Sequence, residues 1–337
     1  MKFSIIIPVY NRPDEIKELL ESLTKQSEKN FEIIVVEDGS SEKAEDVVLT
    51  YSDVLDIHYY FKENEKPAIA RNYGAKRANG DYLIFFDSDC IIPPDYFKTV
   101  NQALNENRTD AFGGPDAARD DFNVLQKAIS YSMTSFFTTG GLRGSGEKLG
   151  KFYPRSFNMG VSREAFDKVG GFPVTGMHPG EDMVFSVELI KQGFSTQLIK
   201  DAFVYHKRRN TLGTFYNQVF RFGKTRVIIS KLYPETAKPH FWAPTVFALG
   251  TILLLLLAFI KGGFLFPIII YALAIFIDAY IRTEDPQVAG MAILSSFTQL
   301  FGYGFGFLIS YIKVHQQNKD EFGVFEKGFY PKEEKKE

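Results

Sequence analysis

The first candidates for chemistry are two aspartates, two positions apart, at the end of an apolar run. Asp87, Ser88 and Asp89 follow the run from Tyr82 to Phe86. Carboxylates in such a pair can hold a hard divalent cation that also binds phosphate oxygens and neutralises a departing diphosphate. Taken alone, these residues fit a capped turn equally well.

Two more polar clusters close apolar runs earlier in the chain. They are Tyr10 to Arg12 after the run from Phe3 to Val9, and Glu37 to Ser40 after the run from Phe31 to Val36. Each cluster alone is weak support for a site, because Asp and Asn favour turns. The carboxyl ends of parallel strands share one edge of a sheet, so we expect all three clusters to converge there.

Alternating strands and helices must position these clusters. Besides the three runs above, Ile57 to Phe61 predicts a strand. Pro13 opens a predicted amphipathic helix, and a second helix is predicted from Pro67 to Ala78. Continuous apolar strands are typical of a sheet that is covered on both faces. The pattern predicts an α/β fold that is Rossmann-like, with a mainly parallel sheet and helices on both faces.

Composition narrows the class of protein. The 337 residues are 45% hydrophobic and 24% charged, enough for one large domain or two ordinary ones. The formal net charge of −2 argues against a nucleic-acid partner. The single cysteine, Cys90, cannot form an internal disulfide, which suits a reducing compartment.

Three long apolar runs follow position 235. They extend from Phe241 to Ile260, from Phe264 to Ile281 and from Val288 to Ile312. Each is near or above the roughly 18 to 20 residues that cross a bilayer core. We expect about three membrane helices in residues 236–315, after a catalytic domain in 1–235 and before a charged tail in 316–337; a wholly buried helical domain is the alternative.

Basic residues precede the first apolar run. Between Tyr205 and His240 eight basic residues stand against one acid, Glu235. Because positive charge marks the cytoplasmic side, we expect a multi-pass protein of the cell inner membrane with a cytoplasmic catalytic domain. Three crossings would place the segment from Lys313 on the opposite side.

The ordered set of motifs resembles glycosyltransferase family 2, which has the GT-A fold, from Ile5 to about Phe222. The motifs are Ser4 to Asn11, Val36 to Ser40, Ala70 to Gly74, Gly80 to Asp89, Asn158 to Gly160, Gly170 to Phe172 and Gly180 to Asp182. No single tripeptide among them is specific, but the whole series in this order is.

The resemblance implies a site for a nucleotide-sugar. Asp38 and Arg71 match the positions that contact the nucleoside, and Pro8 and Tyr10 match the lining of the base pocket. Glu37 departs from the commoner Asp-Asp pair, so no contact is assigned to it.

The resemblance also implies a cofactor, Mg²⁺ or Mn²⁺. Asp89 matches the direct metal ligand, and Asp87 matches a position at the metal or the ribose. Ser88 is placed with the residues that bind the donor. His206 matches a histidine that completes the metal site in many relatives. A lone histidine is more often structural, and this remains the alternative.

Acceptor chemistry is assigned to the start of a predicted helix. The family pattern makes Asp182 the catalytic base, next to Glu181, and the alternative is that both only cap the helix. Gln218 and Arg221 resemble the Gln-x-x-Arg-Trp element of processive synthases near the acceptor or diphosphate, although Phe222 replaces the Trp.

The sequence therefore predicts an inverting, metal-dependent transferase that moves a sugar from a nucleotide-sugar, expected to be a UDP-sugar. The acceptor would be a membrane-associated glycan or lipid-linked molecule in cell-surface polysaccharide synthesis, with membrane lipids as further partners. Alternatives are a processive polysaccharide synthase, a polyprenyl-phosphate glycosyltransferase, and an inactive membrane scaffold for a partner glycosyltransferase. The glycine-rich segment from Gly140 to Gly150 is either a mobile lid or a surface loop.

Overall fold

The computed structural model of the chain describes residues 1–119, 121–140, 152–326 and 328. The glycine-rich segment from Gly140 to Gly150, predicted to be either a lid or a surface loop, lies outside these residues apart from Gly140. Most of the charged tail beyond 326 lies outside them as well.

Strands and helices alternate through the first two thirds of the chain. The strands are β1 Phe3–Val9, β2 Phe31–Asp38, β3 Ile57–Lys62, β4 Tyr82–Phe86, β5 Cys90–Ile91, β6 Ala111–Gly113, β7 Asp116–Ala117, β8 Asn158–Ser162, β9 Thr196–Leu198 and β10 Val204–His206. The helices are α1 Pro13–Thr24, α2 Glu45–Leu49, α3 Pro67–Ala75, α4 Tyr96–Glu106, α5 Val124–Thr134, α6 Phe136–Thr139, α7 Arg163–Val169, α8 Glu181–Lys191, α9 Leu212–Leu232, α10 Ala243–Ala258, α11 Phe266–Thr283 and α12 Pro286–Tyr311. Shorter turns are 3-10 helical at Pro234–Thr236, Pro239–Trp242 and Gly262–Leu265, and π-helical at Ile312–Gln316.

A seven-stranded sheet forms the centre of the catalytic domain. Its order is β3-β2-β1-β4-β8-β6-β9, and only β8 runs antiparallel to its neighbours. The prediction of a mainly parallel sheet is confirmed. A second sheet, β5-β10-β7, was not predicted, because strands of two or three residues leave no periodic signal.

The apolar strands are buried on both faces, as their composition requires. Residues Ile5 and Ile7 of β1 face one apolar cluster with α1 and α4, whereas Ile6 faces the other with α3 and α8. Alternate side chains of a strand point to opposite faces, so the continuous apolar run of β1 serves both layers. The carboxyl ends of β1, β2 and β4 are thereby held on one edge.

Glycines bring α9 of the catalytic domain close to α12. A Cβ atom on Gly302 would lie 2.6 Å from Cγ2 of Val219, and one on Gly306 would overlap the carbonyl oxygen of Phe220. On α9 itself, Gly223 faces the backbone of α12 at Tyr303. The absence of side chains at these glycines thus allows the backbones of α9 and α12 to approach closely.

Three helical stretches are long and apolar enough to cross a membrane: Pro239–Ala258, Gly262–Thr283 and Pro286–Gln316. They differ in how much of each is covered by the rest of the protein. About one sixth or less of the first two is buried (17% and 11%), against 44% of the third. The third stretch thus belongs partly to the catalytic domain, whereas the first two present apolar surface outwards.

The chain after α12 turns back onto the catalytic domain. We call residues 317–326 the return segment. Its Glu321 forms ion pairs with Lys224 of α9 at 2.5 Å and with Lys313 at 2.6 Å. Just beyond it, the carbonyl of Gly328 accepts a hydrogen bond from the N–H of Val174.

This contact concerns the tail, whose side of the membrane the sequence leaves open. Three complete crossings would put the residues after Lys313 on the side opposite to the catalytic domain. The return segment instead lies against that domain, because Val324 and Phe322 complete an apolar cluster with Met183 of α8.

Candidate active site

His206 reaches Asp89 through the small second sheet. β10 pairs antiparallel with β5, so that His206 lies opposite Cys90 and next to the end of β4. Nε2 of His206 is 3.1 Å from Oδ1 of Asp89. The other carboxylate oxygen, Oδ2, accepts a hydrogen bond from Nη1 of Arg12 at 2.5 Å.

Asp89 and His206 each favour the charged form of the other. Burial alone would raise the pKa of the Asp89 carboxyl, but His206 and Arg12 hold that pKa well below its usual range. Burial alone would lower the pKa of His206, but the Asp89 carboxylate raises it. The Asp89 carboxylate therefore stays ionised, which is the form in which a carboxylate can bind a cation.

Three neighbouring side chains offer ligand atoms to a divalent cation. Ligand atoms of Asp89, Cys90 and His206 lie within 4.8 Å of one another. Burial raises the pKa of the Cys90 thiol well above its usual value, and the Sγ atom faces the carbonyl of Phe157 at 3.6 Å. A protonated thiol is a poor ligand for Mg²⁺ or Mn²⁺, so Asp89 and His206 are the residues here that fit such a cation.

Arg71 joins the Asp-x-Asp segment to the start of α8. Its guanidinium donates to Oδ1 of Asp87 at 2.7 Å and to Oε1 of Glu181 at 3.1 Å. Burial alone would raise the pKa of Glu181, but the hydrogen bond and charge of His178 and the charge of Arg71 lower it to about 2. One buried arginine therefore holds two predicted site acids in place.

Asp182 is in the first turn of α8, where the sequence predicted it. Its Oδ2 accepts from Nε of Arg155 at 2.9 Å and from the N–H of Ser156 at 3.4 Å, and its Oδ1 accepts from the N–H of Met183 at 2.7 Å. Both oxygens are thus engaged, and Arg155 supplies the one charged donor among the described residues.

The predicted nucleoside residues lie at the ends of β1 and β2. Asp38 is buried, and its Oδ1 accepts from Nζ of Lys62 at 2.8 Å and from the N–H of Glu65 at 3.0 Å. Tyr10 is half exposed, and Pro8 of β1 is partly covered. Ser88 is buried between the two aspartates.

Glu37 has a structural role. Its carboxylate accepts from the hydroxyl of Ser40, from the N–H of Ala44 at 2.7 Å and from the hydroxyl of Tyr59 at 3.2 Å. The longer side chain of Glu thus reaches the loop before α2.

Two further predicted site residues, Gln218 and Arg221, are not joined to the acid cluster by a hydrogen bond or ion pair among the described residues. Both lie on α9, where Gln218 is half-buried and Arg221 is exposed. Within the described ranges, neither makes a hydrogen bond or ion pair with Asp89 or Asp182.

The sequence did not assign roles to three residues at the site. Arg12 stood in a polar cluster that was noted, whereas Arg155 and His178 stood in no motif. Arg155 follows Pro154 in a segment without periodicity, so no local signal pointed to it.

Comparison with known proteins gives several matches. The sequence model described as Glycosyl transferase family 2 matches residues 4–170. A protein of Rickettsia felis named as an uncharacterized glycosyltransferase is 41% identical over 106 residues, which are 32% of this chain and 18% of that protein. The chain thus spans less than a fifth of that relative's length.

Two relatives match over longer stretches. A Haemophilus influenzae protein, also named as an uncharacterized glycosyltransferase, is 31% identical over 220 residues, covering 63% of this chain and 71% of that protein. A Methanococcus voltae protein is 26% identical over 315 residues, covering 90% of this chain and 95% of that protein. Its name is dolichyl N-acetyl-alpha-D-glucosaminyl phosphate 3-beta-D-2,3-diacetamido-2,3-dideoxy-beta-D-glucuronosyltransferase.

Solved structures share the fold. The mannosyltransferase PcManGT from Pyrobaculum calidifontis, solved with GDP-Man and Mn²⁺, has a TM-score of 0.58 and 16% identity, with 95% of this chain and 88% of that chain covered. Staphylococcus aureus TarS 1–349, solved with UDP-GlcNAc, has a TM-score of 0.52 and 20% identity, with 95% and 93% covered. At these identities the likeness establishes the GT-A fold alone. The ordered motifs, the family match and the Haemophilus relative together establish that the chain belongs to glycosyltransferase family 2.

Proposed function

We propose that the chain is an inverting, cation-dependent transferase that moves a sugar from a nucleotide-sugar to a membrane-associated acceptor. The observation that carries the proposal is the ion pair of Asp89 with His206, held beside the Arg71 bridge from Asp87 to Glu181. These contacts gather acids from separate elements at one edge of the sheet. Nucleotide-sugars bring a diphosphate to such an edge.

Six of the candidate residues would bind the donor or its cation. Asp89 and His206 would hold Mg²⁺ or Mn²⁺, which neutralises charge on the diphosphate when bound. Asp38 and Arg71, with Pro8 and Tyr10, would serve the nucleoside end of the donor.

The transfer itself requires a base. An acceptor hydroxyl attacks the anomeric carbon as the bond from that carbon to the diphosphate oxygen breaks, and the hydroxyl proton passes to the carboxylate of Asp182. The bonding electrons leave with the nucleoside diphosphate. Attack from the face opposite the leaving group inverts the anomeric centre.

The donor is proposed to be a UDP-sugar. TarS is described with UDP-GlcNAc, whereas PcManGT is described with GDP-Man, so the fold accommodates both nucleotides. The acceptor is proposed to be a glycan or lipid-linked molecule used in cell-surface polysaccharide synthesis, and the name of the Methanococcus relative includes a dolichyl phosphate.

The membrane arrangement follows from the return segment. Its contacts with the catalytic domain favour an even number of crossings, so α10 and α11 would enter and leave as a hairpin while α12 lies along α5 and α9. The 20 residues of Pro239–Ala258 are long enough to span a bilayer core. The basic residues before Phe241 favour a cytoplasmic catalytic domain at the inner membrane.

Cysteine labelling tests this arrangement, because the only native cysteine, Cys90, is buried. We expect Lys261→Cys, between α10 and α11, to react with an impermeant maleimide from outside intact cells. Lys319→Cys, in the return segment, should react only after permeabilisation. Labelling of both from outside would refute the hairpin.

Activity is tested by release of nucleoside diphosphate from a panel of nucleotide-sugars, with Mg²⁺, Mn²⁺ or EDTA and a membrane lipid extract as acceptor. Cation-dependent release that the extract stimulates, and that Asp182→Asn abolishes, is the expected result. Cation-dependent nucleotide binding without turnover of any donor would favour the inactive scaffold. Products of many added sugars per acceptor would favour a processive synthase.

A further inference from the structure

A pair of arginines lies between Asp182 and the first membrane helix. We call Arg155 and Arg226 the arginine pair. Arg155 precedes β8 and bonds to Asp182, and Arg226 lies on α9. The guanidinium carbon of Arg226 is 4.5 Å from the ring centroid of Phe241, which begins the first apolar stretch.

The pair carries more positive charge than its surroundings balance. Within the described residues, Arg226 has no carboxylate at ion-pair distance, and Asp182 is already bonded to Arg155. Burial lowers the pKa of Arg226 and the neighbouring charge of Arg155 lowers it further, while the interaction with the Tyr303 hydroxyl and the charge of Asp182 offset only part of this. Placing two guanidinium groups near one carboxylate is costly unless another anion joins them.

Aromatic side chains surround this charge. Phe241, Trp242 and Tyr303 share an apolar cluster with Tyr153 and with Val227, the neighbour of Arg226. Trp and Tyr are enriched at the level of lipid head groups, where one side is apolar and the other polar. The arginine pair therefore lies where the head group of a membrane lipid would meet the active site.

We propose that the arginine pair binds the phosphate of a lipid-linked acceptor. This rests on the proposed function and names its acceptor as one in which a phosphate or diphosphate joins the lipid to the reacting group. Arginine suits phosphate because its planar guanidinium forms paired, charge-assisted hydrogen bonds.

The same binding would prepare Asp182 for its role. In the structure Nε of Arg155 donates a hydrogen bond to Oδ2 of Asp182 at 2.9 Å. If the guanidinium bonds to a phosphate instead, this hydrogen bond to Asp182 is lost. Oδ2 can then accept the proton of an acceptor hydroxyl. Binding of the acceptor would thus free Asp182 to act as the base.

Direct binding can be measured without catalysis, because Trp242 is the only tryptophan in the chain and is next to Phe241. Full-length protein in neutral detergent is titrated with a short polyprenyl phosphate, with the matching polyprenol, and with phosphatidylglycerol, while Trp fluorescence is followed. We expect the phosphate to bind at least about tenfold more tightly than the alcohol, as charge-assisted hydrogen bonds imply. Equal binding of phosphatidylglycerol would overturn the assignment to an acceptor, since the site would then take any anionic lipid.

Substitutions of the two arginines test whether the arginine pair binds the phosphate. Arg226→Gln and Arg155→Gln should each weaken binding of the polyprenyl phosphate about tenfold or more and leave the polyprenol unchanged, with Arg226→Lys intermediate. Lys98→Gln, an exposed change on α4, is the matched control. Unchanged phosphate affinity in folded Arg226→Gln and Arg155→Gln protein would refute the site.

Steady-state kinetics with different acceptors distinguish failure of this inference from failure of the proposed function. Arg226→Gln should raise KM for a phosphate-linked acceptor about tenfold while leaving KM for the nucleotide-sugar unchanged. An equal loss with a phosphate-free glycoside of the same lipid would contradict the inference while the transferase stands. If the wild type binds the phosphate through the pair but turns over no donor, the proposed function fails and the site remains.

Discussion

Nε2 of His206 lies 3.1 Å from Oδ1 of Asp89, although 117 positions separate the two residues in the chain. A contact so distant in sequence depends on the β5-β10 pairing. The proposed cation site therefore depends on the whole domain and is complete only when β10 has paired with β5.

The first prediction concerns this contact. We expect Asp89→Asn and His206→Asn each to lower kcat/KM by about 100-fold or more, because the diphosphate loses its neutralising cation. Calorimetry should also show that nucleotide binding no longer responds to Mn²⁺. His58→Asn is the control. His58 belongs to a second cluster of acids and histidine, with Glu32 and Asp56. It pairs with Asp56, and both residues of this pair are exposed. Equal losses in all three variants would contradict the assignment.

A second prediction concerns Asp182. Asp182→Asn should lower kcat by roughly 10²- to 10⁴-fold, the usual contribution of a general base, with nucleotide affinity retained. Asp201→Asn, at an exposed turn before β10, should keep full activity. Wild-type kcat in Asp182→Asn would mean that another group accepts the proton.

A third prediction concerns Arg71. Removing its charge leaves Glu181 buried without this partner, so Arg71→Ala should destabilise the domain by about 3–5 kcal/mol. Thermal unfolding in detergent measures the change. Arg71→Lys should recover only part of the stability, because one ammonium cannot span Asp87 and Glu181 as a guanidinium does. A melting temperature equal to that of the wild type in Arg71→Ala would show that the bridge contributes little.

A fourth prediction follows from the pKa of Glu181, which His178 and Arg71 lower to about 2 in the folded protein. The unfolded value is about 4.3, so folding stability from this carboxylate is fully present above about pH 5 and is lost as the pH falls towards 2. Melting temperature measured across this window should decline, and the decline should be shallower in Glu181→Gln. Parallel curves for the two proteins would rule out this contribution.

A fifth prediction compares two glycines of α12. A Cβ on Gly306 would overlap the backbone of Phe220, whereas one on Gly290 would meet nothing within 4 Å. We expect Gly306→Ala to destabilise the contact between α9 and α12 by about 1–3 kcal/mol, and Gly290→Ala to be neutral or stabilising by up to about 1 kcal/mol. Equal melting temperatures of the two variants would contradict the close packing.

The elements that sequence predicted best are those with long apolar runs. β4 begins and ends at the predicted residues, and β2 extends only from Val36 to Asp38 beyond its predicted end. α3 ends at Ala75 rather than Ala78, because helix ends depend on local capping more than on periodicity.

The periodicity of apolar residues did not predict contacts between segments that are distant in the chain. Motif order nominated Asp89, His206 and Asp182, but it did not reveal that Arg12 and Arg155 bind two of these acids. An arginine in a loop carries no periodic signal, and its partner is set by tertiary packing. The position of the return segment was missed for the same reason.

The return segment has a consequence for how the protein is made. Residues Val227 and Ile228 of α9 leave the ribosome well before Val324, which completes their apolar cluster. Synthesis runs from the N-terminus, so this face stays uncovered while the apolar helices α10 and α11 are translated. The cluster can be completed only after α10, α11 and α12 have all been synthesised, so the candidate membrane helices are available to a bilayer before the catalytic domain is finished.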